Sequence, residues 1–227
     1  TVEDLPMFKQ PIALLFVMFA SQLALAQPAI EYEVAITNIT PGQSFTPQLV
    51  VTHPSSVQLF SLGEAASEPL EYLAESGDVD PAIDALAGVA MDYQKIDTLL
   101  GPGETSYATI TAHPTRGRLT VAAMMIPTND SFVALNSVRL PNRDSEVHLV
   151  PAYDAGTEYN DQSCANIPGP QCEFVGIGFS EDTGEGYVHI GNGIHELGER
   201  DEAGYSLLSP QLYDWRNSVA RITVTRK

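Results

Sequence analysis

The sequence has 227 residues, enough for a domain with a sizeable hydrophobic core, and it carries 29 Asp and Glu against 11 Lys and Arg. The resulting formal charge of −18 predicts repulsion of nucleic acid, heparin and anionic lipid. It therefore argues against those partners and favours cations.

Residues 7–26 read MFKQPIALLFVMFASQLALA, with a lysine near the front and small residues at the end. This pattern predicts a secretory signal peptide that is cleaved before Gln27. The apolar run is interrupted at Ser21 and is shorter than the roughly 20 residues of a membrane-spanning helix, so we expect no membrane insertion after cleavage. We expect a secreted protein, periplasmic or extracellular, with upstream residues and signal peptide at 1–26 and one domain at 27–227.

The first part of the mature chain predicts strands followed by helices. Residues 30–39 alternate apolar and polar side chains, and residues 47–52 contain a second strand candidate. Ser67-Glu68-Pro69 begins a helix that Gly77 ends, and Asp80-Pro81 begins another. We expect these short helices to cover one edge or mouth of the sheet structure. Their acids are expected to form a solvated face; they are Glu71, Glu75, Asp78 and Asp84.

The central part of the chain predicts three consecutive strands. Residues 106–113 lead into an apolar strand at 119–126, which is followed by strands at 132–140 and 147–153 with turn-forming clusters between them. In an up, down, up meander, the first and third strands finish at the same end of the sheet. Asp130 is therefore expected to lie beside Asp154 and Glu158.

Three carboxylates on neighbouring loops repel one another unless a cation lies among them or their pKa values rise. Calcium binds six to eight oxygens at about 2.3–2.6 Å, and irregular loops supply that geometry readily. Gly156 permits a tight bend between Asp154 and Glu158. From spacing alone, a calcium site and ordinary turn capping by Asp130 and Asp154 both remain open.

The last third of the chain contains both cysteines, Cys164 and Cys172. In an exported protein the expected state is a disulfide, and two reduced buried thiols are the alternative.

The remaining part of the chain predicts strands at 174–179, 187–190 and 218–225. Residues 182–185 (DTGE) have turn composition and are expected to form a hydrated hairpin loop rather than a second cation site. His189 and His195 match no zinc spacing, and we expect them to be structural or exposed.

Two central motifs resemble the spondin domain, the module of F-spondin and mindin. They are residues 127–132 (PTNDSF) and 153–158 (YDAGTE), with weaker matches at 36–40, 43–47 and 74–78. The resemblance implies an all-β fold: an antiparallel β-sandwich similar to synaptotagmin-type calcium- and lipid-binding modules, with short helices inserted. It also implies a Ca²⁺ ion, whose ligands fall on Asp130, Asp154 and Glu158. Animal members usually have Trp where Tyr153 stands and Asp where Glu158 stands.

The function expected from this resemblance is a secreted calcium-binding module for adhesion or for matrix and surface contacts, with an extracellular protein or glycan as its partner. A carbohydrate-binding module ordered by calcium is the alternative, and a structural surface protein is a third. A secreted hydrolase is expected least, because no nucleophile elbow or phosphate-binding loop occurs. Asp154 and Glu158 are not favoured as a glycosidase pair, because both lie on one short loop with Asp130 nearby and a bound metal would quench both as acid and base.

Overall fold

A computed structural model describes residues 28–173, 184–216 and 218–227. The predicted signal peptide, the predicted strand at 174–179 and Asp182 of the acidic turn lie outside the described residues. Within the described residues the structure has eleven strands and three α-helices. In chain order they are β1 (Ile30–Asn38), β2 (Ser44–Phe45), β3 (Gln48–Pro54), α1 (Glu68–Ser76), α2 (Asp80–Leu86), β4 (Asp92–Ile96), β5 (Thr105–Ala112), β6 (Gly117–Ile126), β7 (Ser131–Arg139), β8 (Ser145–Val150), β9 (Ala152–Asp154), β10 (His189–Ile190), α3 (Pro210–Tyr213) and β11 (Ala220–Arg226).

The strands form two antiparallel sheets, as predicted for a β-sandwich. One sheet has four strands in the order β5-β1-β11-β8. The other has seven, in the order β10-β9-β7-β6-β3-β4, with β2 paired to β6. Alternation explains the first sheet: Tyr32, Val34 and Ile36 of β1 are buried, while the residues between them are half-buried and face outward.

The seven-stranded sheet is covered on both faces, which explains why β6 is apolar almost throughout. One face packs on the four-stranded sheet through residues such as Leu119, Val121 and Val133. The opposite face, which includes Ala122 and Phe132, packs on the first helix. The helices therefore cover a face of this sheet, where the sequence predicted an edge or mouth.

Helix α1 begins and ends where the sequence predicts. A proline lies in its first turn, and Gly77 ends it in the left-handed conformation with φ 72°. Leu70, Leu73 and Ala74 are buried against the sheet. Glu75 is also fully buried, so its assignment to a solvated helix face was wrong. It directly follows Ala74 in the helix, and the packing around α1 encloses this position as well.

The predicted meander is correct for its first two strands and wrong for its third. β6 and β7 pair in register, with Ala122 opposite Ala134. Residues 145–150 instead pair with β11 in the other sheet, and only β9 returns to pair with β7. Pro151 separates the two segments; because proline has no N–H to donate, a continuous ladder is interrupted there. The chain thus crosses between sheets before it reaches Asp154.

The remaining predicted elements are partly altered. β1, β3, β5, β10 and β11 occupy the segments predicted as strands. β2 and β4 were not predicted: β2 has only two residues, and the exposed and half-buried side chains of β4 give no apolar alternation. Among the described residues, no helix has the length and apolar character that a membrane crossing requires.

Candidate metal centre

The candidate site lies where three neighbouring strands of the seven-stranded sheet meet. Ser131, Asp154 and His189 stand side by side across β7, β9 and β10. Asp130 directly precedes β7, and its backbone carbonyl accepts a hydrogen bond from the N–H of Ala155 at 3.2 Å. The structure therefore brings Asp130 and Asp154 together, although they are 24 positions apart in the sequence.

Asp130 is completely buried. Its Oδ2 accepts hydrogen bonds from the N–H of Thr157 (2.8 Å), the hydroxyl of Thr157 (3.2 Å) and the N–H of Glu158 (3.2 Å). Its Oδ1 has no hydrogen-bond partner within the described residues. Burial and the nearby charge of Asp154 raise the pKa of Asp130 to about 7, against the opposing effect of the three hydrogen bonds.

Asp154 is the second buried carboxyl, with 1% of its surface exposed. Its Oδ1 accepts a hydrogen bond from the N–H of Gly156 at 2.9 Å, and its Oδ2 accepts one from Asn160 Nδ2 at 2.9 Å. Burial raises the pKa of Asp154, although these hydrogen bonds and the nearby His189 act to lower it. Two adjacent carboxyls with raised pKa values form an electrostatically unfavourable pair when both are ionised.

Glu158 completes the predicted set and is also 1% exposed. It lies on the same loop as the donors to Asp130, because its own N–H is one of them. The structure therefore places all three predicted residues in one buried region. Glu158 has one methylene more than the aspartate that the resemblance leads us to expect.

Close backbone packing holds the 154–160 loop in position. Gly156 has φ 68°, and a Cβ atom there would lie 2.3 Å from the carbonyl oxygen of Tyr187. A Cβ at Gly184 would lie 2.4 Å from the carbonyl oxygen of Glu158. The N–H of Gly186 also donates to the carbonyl of Gly156 at 2.8 Å. Only glycine fits these contacts, so residues 184–188 support the acidic loop.

Glu185 and His189 are two neighbours that the sequence analysis did not assign to the site. His189 Nε2 lies 3.4 Å from Asp154 Oδ1 and 3.8 Å from Glu185 Oε2. One ligand atom from each of Asp154, Glu185 and His189 falls within a 4.8 Å group. Burial lowers the pKa of His189, but its hydrogen bond to the carbonyl of Ile190 and the surrounding carboxylates outweigh that effect and raise it overall.

The sequence does contain a weak signal for these neighbours. Glu185 and His189 are four residues apart, and His189 lies in the predicted strand at 187–190. What the sequence lacks is the pairing of β10 with β9, which sets His189 opposite Asp154.

The carboxyls of this site have the chemistry to hold a hard divalent cation, and among the described residues the ligand atoms that lie within 4.8 Å of one another belong to Asp154, Glu185 and His189. The site combines two buried carboxyls that repel each other, a third buried carboxyl on the same loop, and an Asp130 oxygen that makes no hydrogen bond to the described residues. A doubly charged ion among them would restore the ionised forms and lower the raised pKa values. Oxygen donors on irregular loops are the ligands that calcium prefers.

The predicted disulfide between Cys164 and Cys172 is present. It closes a short loop that follows the acidic segment, and Cys172 packs in the core between the sheets. Glu199 holds the start of this loop, since its carboxylate accepts hydrogen bonds from Ser163 Oγ and from the N–H of Cys164, both at 2.9 Å. The pKa of Glu199 is lowered, first by the hydrogen bond from Cys164.

Comparison with protein-family models identifies a family for this chain. The family described as Spondin_N matches residues 37–166, more than half of the chain. The matched span includes Asp130, Asp154 and Glu158 and ends before Glu185 and His189. No curated protein matches the chain.

Proposed function

The chain belongs to the Spondin_N family, and from that premise we propose that it is a secreted, calcium-binding module for adhesion or matrix contacts. The family indicates an extracellular module of the matrix or adhesion type. The disulfide agrees with this compartment, because such bonds persist in oxidising surroundings. The proposal that calcium binds at the acidic loops rests on the geometry of the site.

One observation carries the calcium assignment: Asp130 is fully buried beside Asp154, and its Oδ1 lacks a hydrogen-bond partner within the described residues. A turn-capping aspartate is usually satisfied by local N–H groups, as Oδ2 of Asp130 already is. A buried carboxylate oxygen left without a donor costs free energy, about 1–3 kcal/mol or more when it is charged. Cation binding offsets that cost and explains why the arrangement persists.

In the proposed site Asp130, Asp154 and Glu158 hold the ion. Calcium supplies positive charge and additional coordination sites for water or a partner's oxygens; it performs no redox chemistry. The protein's part is to hold the carboxyls of Asp130 and Asp154 in place through the hydrogen bonds that Thr157, Gly156 and Asn160 donate, with Glu158 on the same loop. Ion binding thereby fixes the loop after β6 against the loop after β9.

We assign the ordered loops, rather than a catalytic centre, to the protein's contacts with its partner. Tyr159 is 58% exposed and directly follows Glu158, and Tyr187 is 45% exposed beside Gly156. Exposed tyrosines are enriched at recognition surfaces because each offers a large apolar ring and a polar tip. The family is not a known enzyme family, and we assign Asp154 and Glu158 to a cation rather than to hydrolysis.

Isothermal titration calorimetry with calcium tests the proposal. At pH 8 the native protein is expected to bind one ion with an affinity in the range of extracellular sites, roughly 10⁻⁴–10⁻³ M or tighter. Asp154→Asn is expected to abolish the heat of binding. Asp201→Asn, which changes an exposed acid elsewhere, serves as the matched control and is expected to leave the isotherm unchanged. An isotherm that Asp154→Asn does not alter refutes the site.

The two exposed tyrosines also favour a second candidate, a carbohydrate-binding module whose loops are ordered by calcium. Aromatic rings beside a bound ion are suited to stacking on a sugar face, and Tyr159 and Tyr187 flank the acidic loop. Glycan-array binding that requires calcium and is lost in Tyr159→Ala would select this candidate. Binding to a matrix protein with no glycan signal would select the adhesion module.

A further inference from the structure

The chain carries few cations, and more than half of them lie near one end of the sandwich. They come from the turn between β5 and β6, the turn between β7 and β8, and the C-terminal end of β11. The six residues are Arg116, Arg118, Arg139, Arg143, Arg226 and Lys227. Because β6 runs from Gly117 to Ile126, this end lies opposite the acidic loops that follow β6. The net charge of −18 therefore conceals a local region of positive charge.

Two of these arginines are paired across neighbouring strands. Arg118 on β6 stands directly opposite Arg139 on β7. Like charges directly opposite each other in an antiparallel pair are destabilising. Within the described residues, neither guanidinium group makes a side-chain hydrogen bond or an ion pair. The arrangement is unfavourable by itself, and an anion between the two groups would relieve it.

A cleft of about 490 Å³ opens at this arginine pair. Its wall includes Arg118, Arg139, Asn142 and Thr115, together with the apolar side chains of Leu140 and Pro141. The volume falls within the range of about 300–1,000 Å³ that is usual for small-molecule sites. The cleft thus combines two guanidinium donors with amide and hydroxyl groups.

A second cavity, of about 400 Å³, continues the cleft. The two share Pro114, Thr115 and Asn142, and the second extends to Ile30 and Arg226. Arg226 is fixed there, because its Nη1 donates a hydrogen bond to the carbonyl of Asn142. The second cavity is lined largely by apolar atoms. A ligand that fills both cavities needs an oxyanion at one end and a body with an apolar face.

We propose that the cleft at Arg118 and Arg139 is an oxyanion-binding site that accepts a carboxylate or sulfate carried on a sugar-sized body. Guanidinium groups match such anions because their N–H groups form parallel, charge-assisted hydrogen bonds with two oxygens. Long-range repulsion from the acidic remainder of the protein is screened beyond about 8 Å at physiological ionic strength, so contacts within the cleft dominate. The site is independent of the calcium loops.

One acid opposes this ligand. Glu146 lines the same cleft, and its carboxylate lies 3.8 Å from His148 Nε2. Its charge offsets one of the two guanidinium charges and repels an incoming anion. Substitutions in the cleft should therefore change anion affinity in opposite directions. Removing an arginine charge weakens anion binding, whereas removing the Glu146 charge strengthens it.

Calorimetric titration of the calcium-loaded protein with glucuronate, glucose and inorganic sulfate tests the proposal. Glucuronate is expected to bind and glucose is not. Arg118→Gln and Arg139→Gln are each expected to weaken glucuronate binding by roughly tenfold or more, the loss of a charge-assisted hydrogen bond. Glu146→Gln is expected to tighten it. Arg221→Gln, at an exposed site outside the cleft, removes the same charge and is expected to change nothing.

The three probes separate the source of the anion. Glucuronate that binds at least tenfold more tightly than sulfate indicates a sugar-borne anion, and equal affinities indicate a free oxyanion; either outcome supports an oxyanion site. Equal binding of glucose and glucuronate overturns the proposal, as does a titration with no heat for any probe or one that both arginine variants leave unchanged.

A measurement on the native chain covers the case in which an arginine variant does not fold. Phenylglyoxal modifies accessible arginines, and mass spectrometry reports the rate at each position. Glucuronate or sulfate is expected to slow modification of Arg118 and Arg139 while Arg221 reacts at its original rate. Equal rates with and without these anions at all three positions contradict the site.

Discussion

Replacing Asp130 with Asn is expected to stabilise the calcium-free protein while removing its response to calcium. In the native chain Asp130 Oδ2 accepts three hydrogen bonds from Thr157 and Glu158, and Oδ1 has no partner within the described residues. The amide oxygen of Asn can retain the three hydrogen bonds. Its NH₂ group then replaces a buried anionic oxygen beside Asp154, where a donor is favourable.

The size of the effect follows from the pKa of Asp130, which is raised from 3.8 to about 7. Each pKa unit corresponds to about 1.36 kcal/mol, so ionising this group in the calcium-free native state at pH 8 costs at most about 4 kcal/mol. Asn removes that cost, and we expect a gain of about 1–4 kcal/mol. At a calcium concentration near 100 times Kd, ion binding is expected to raise the free energy of unfolding of the native protein by about 2.7 kcal/mol. The Asp130→Asn variant is expected to lack this increase.

Urea denaturation at pH 8, with EGTA and with excess calcium, measures both effects. Asp92→Asn is the matched control, because the Asp92 carboxylate also accepts hydrogen bonds from a threonine N–H and hydroxyl, those of Thr111, at 2.7 and 2.9 Å. That substitution is expected to cost about 1 kcal/mol with or without calcium. If Asp130→Asn likewise destabilises the calcium-free protein, Asp130 is a turn cap and the metal-site reasoning is wrong.

Three further outcomes are expected. Without calcium, the stability of the native protein is expected to fall as pH rises from about 4 to 7, because the folded-state pKa of Asp130 lies above its unfolded value. Urea midpoints that rise over this pH range contradict the raised pKa. Saturating calcium is expected to reverse the trend. Gly156→Ala is expected to weaken calcium binding and to lower stability by more than Gly103→Ala. Both glycines have φ near 70–80°, but only at Gly156 would the added Cβ atom lie 2.3 Å from a backbone oxygen, that of Tyr187. Equal melting temperatures and calcium isotherms for the two variants contradict this prediction. Cys164→Ser is expected to cost roughly 2–3 kcal/mol in urea denaturation, the loop-closure entropy of a short disulfide loop, and an unchanged midpoint excludes a stabilising disulfide.

Local sequence patterns predicted most of the fold. The alternation of apolar and polar residues predicted β1 and β11. A proline in the first turn and a glycine after the last turn predicted the two ends of α1. The patterns did not assign strands to sheets, because residues 147–153 read as one strand and only the pairing of β8 with β11 divides them. Pro151 was the local signal for that division. It lies between two segments that each look like strands, so its effect depends on tertiary pairing.

The candidate site was predicted in part, for a related reason. The sequence analysis placed Asp130 beside Asp154 and Glu158 because turns after neighbouring strands meet at one edge. His189 and Glu185 were not assigned to the site, because the predicted strand at 187–190 gave no indication that β10 pairs with β9 and sets His189 opposite Asp154. The sequence analysis also treated charge as a property of the whole chain, which hid the pairing of Arg118 with Arg139. Pairing across strands is a long-range property that composition does not contain.

A crystal structure of the protein grown with calcium tests the central claim most directly. We expect one strong anomalous peak within about 2.3–2.6 Å of carboxylate oxygens from Asp130, Asp154 and Glu158. If crystals grown in millimolar calcium show no peak between these three side chains, or a peak only at exposed acids elsewhere, the proposed calcium site is wrong.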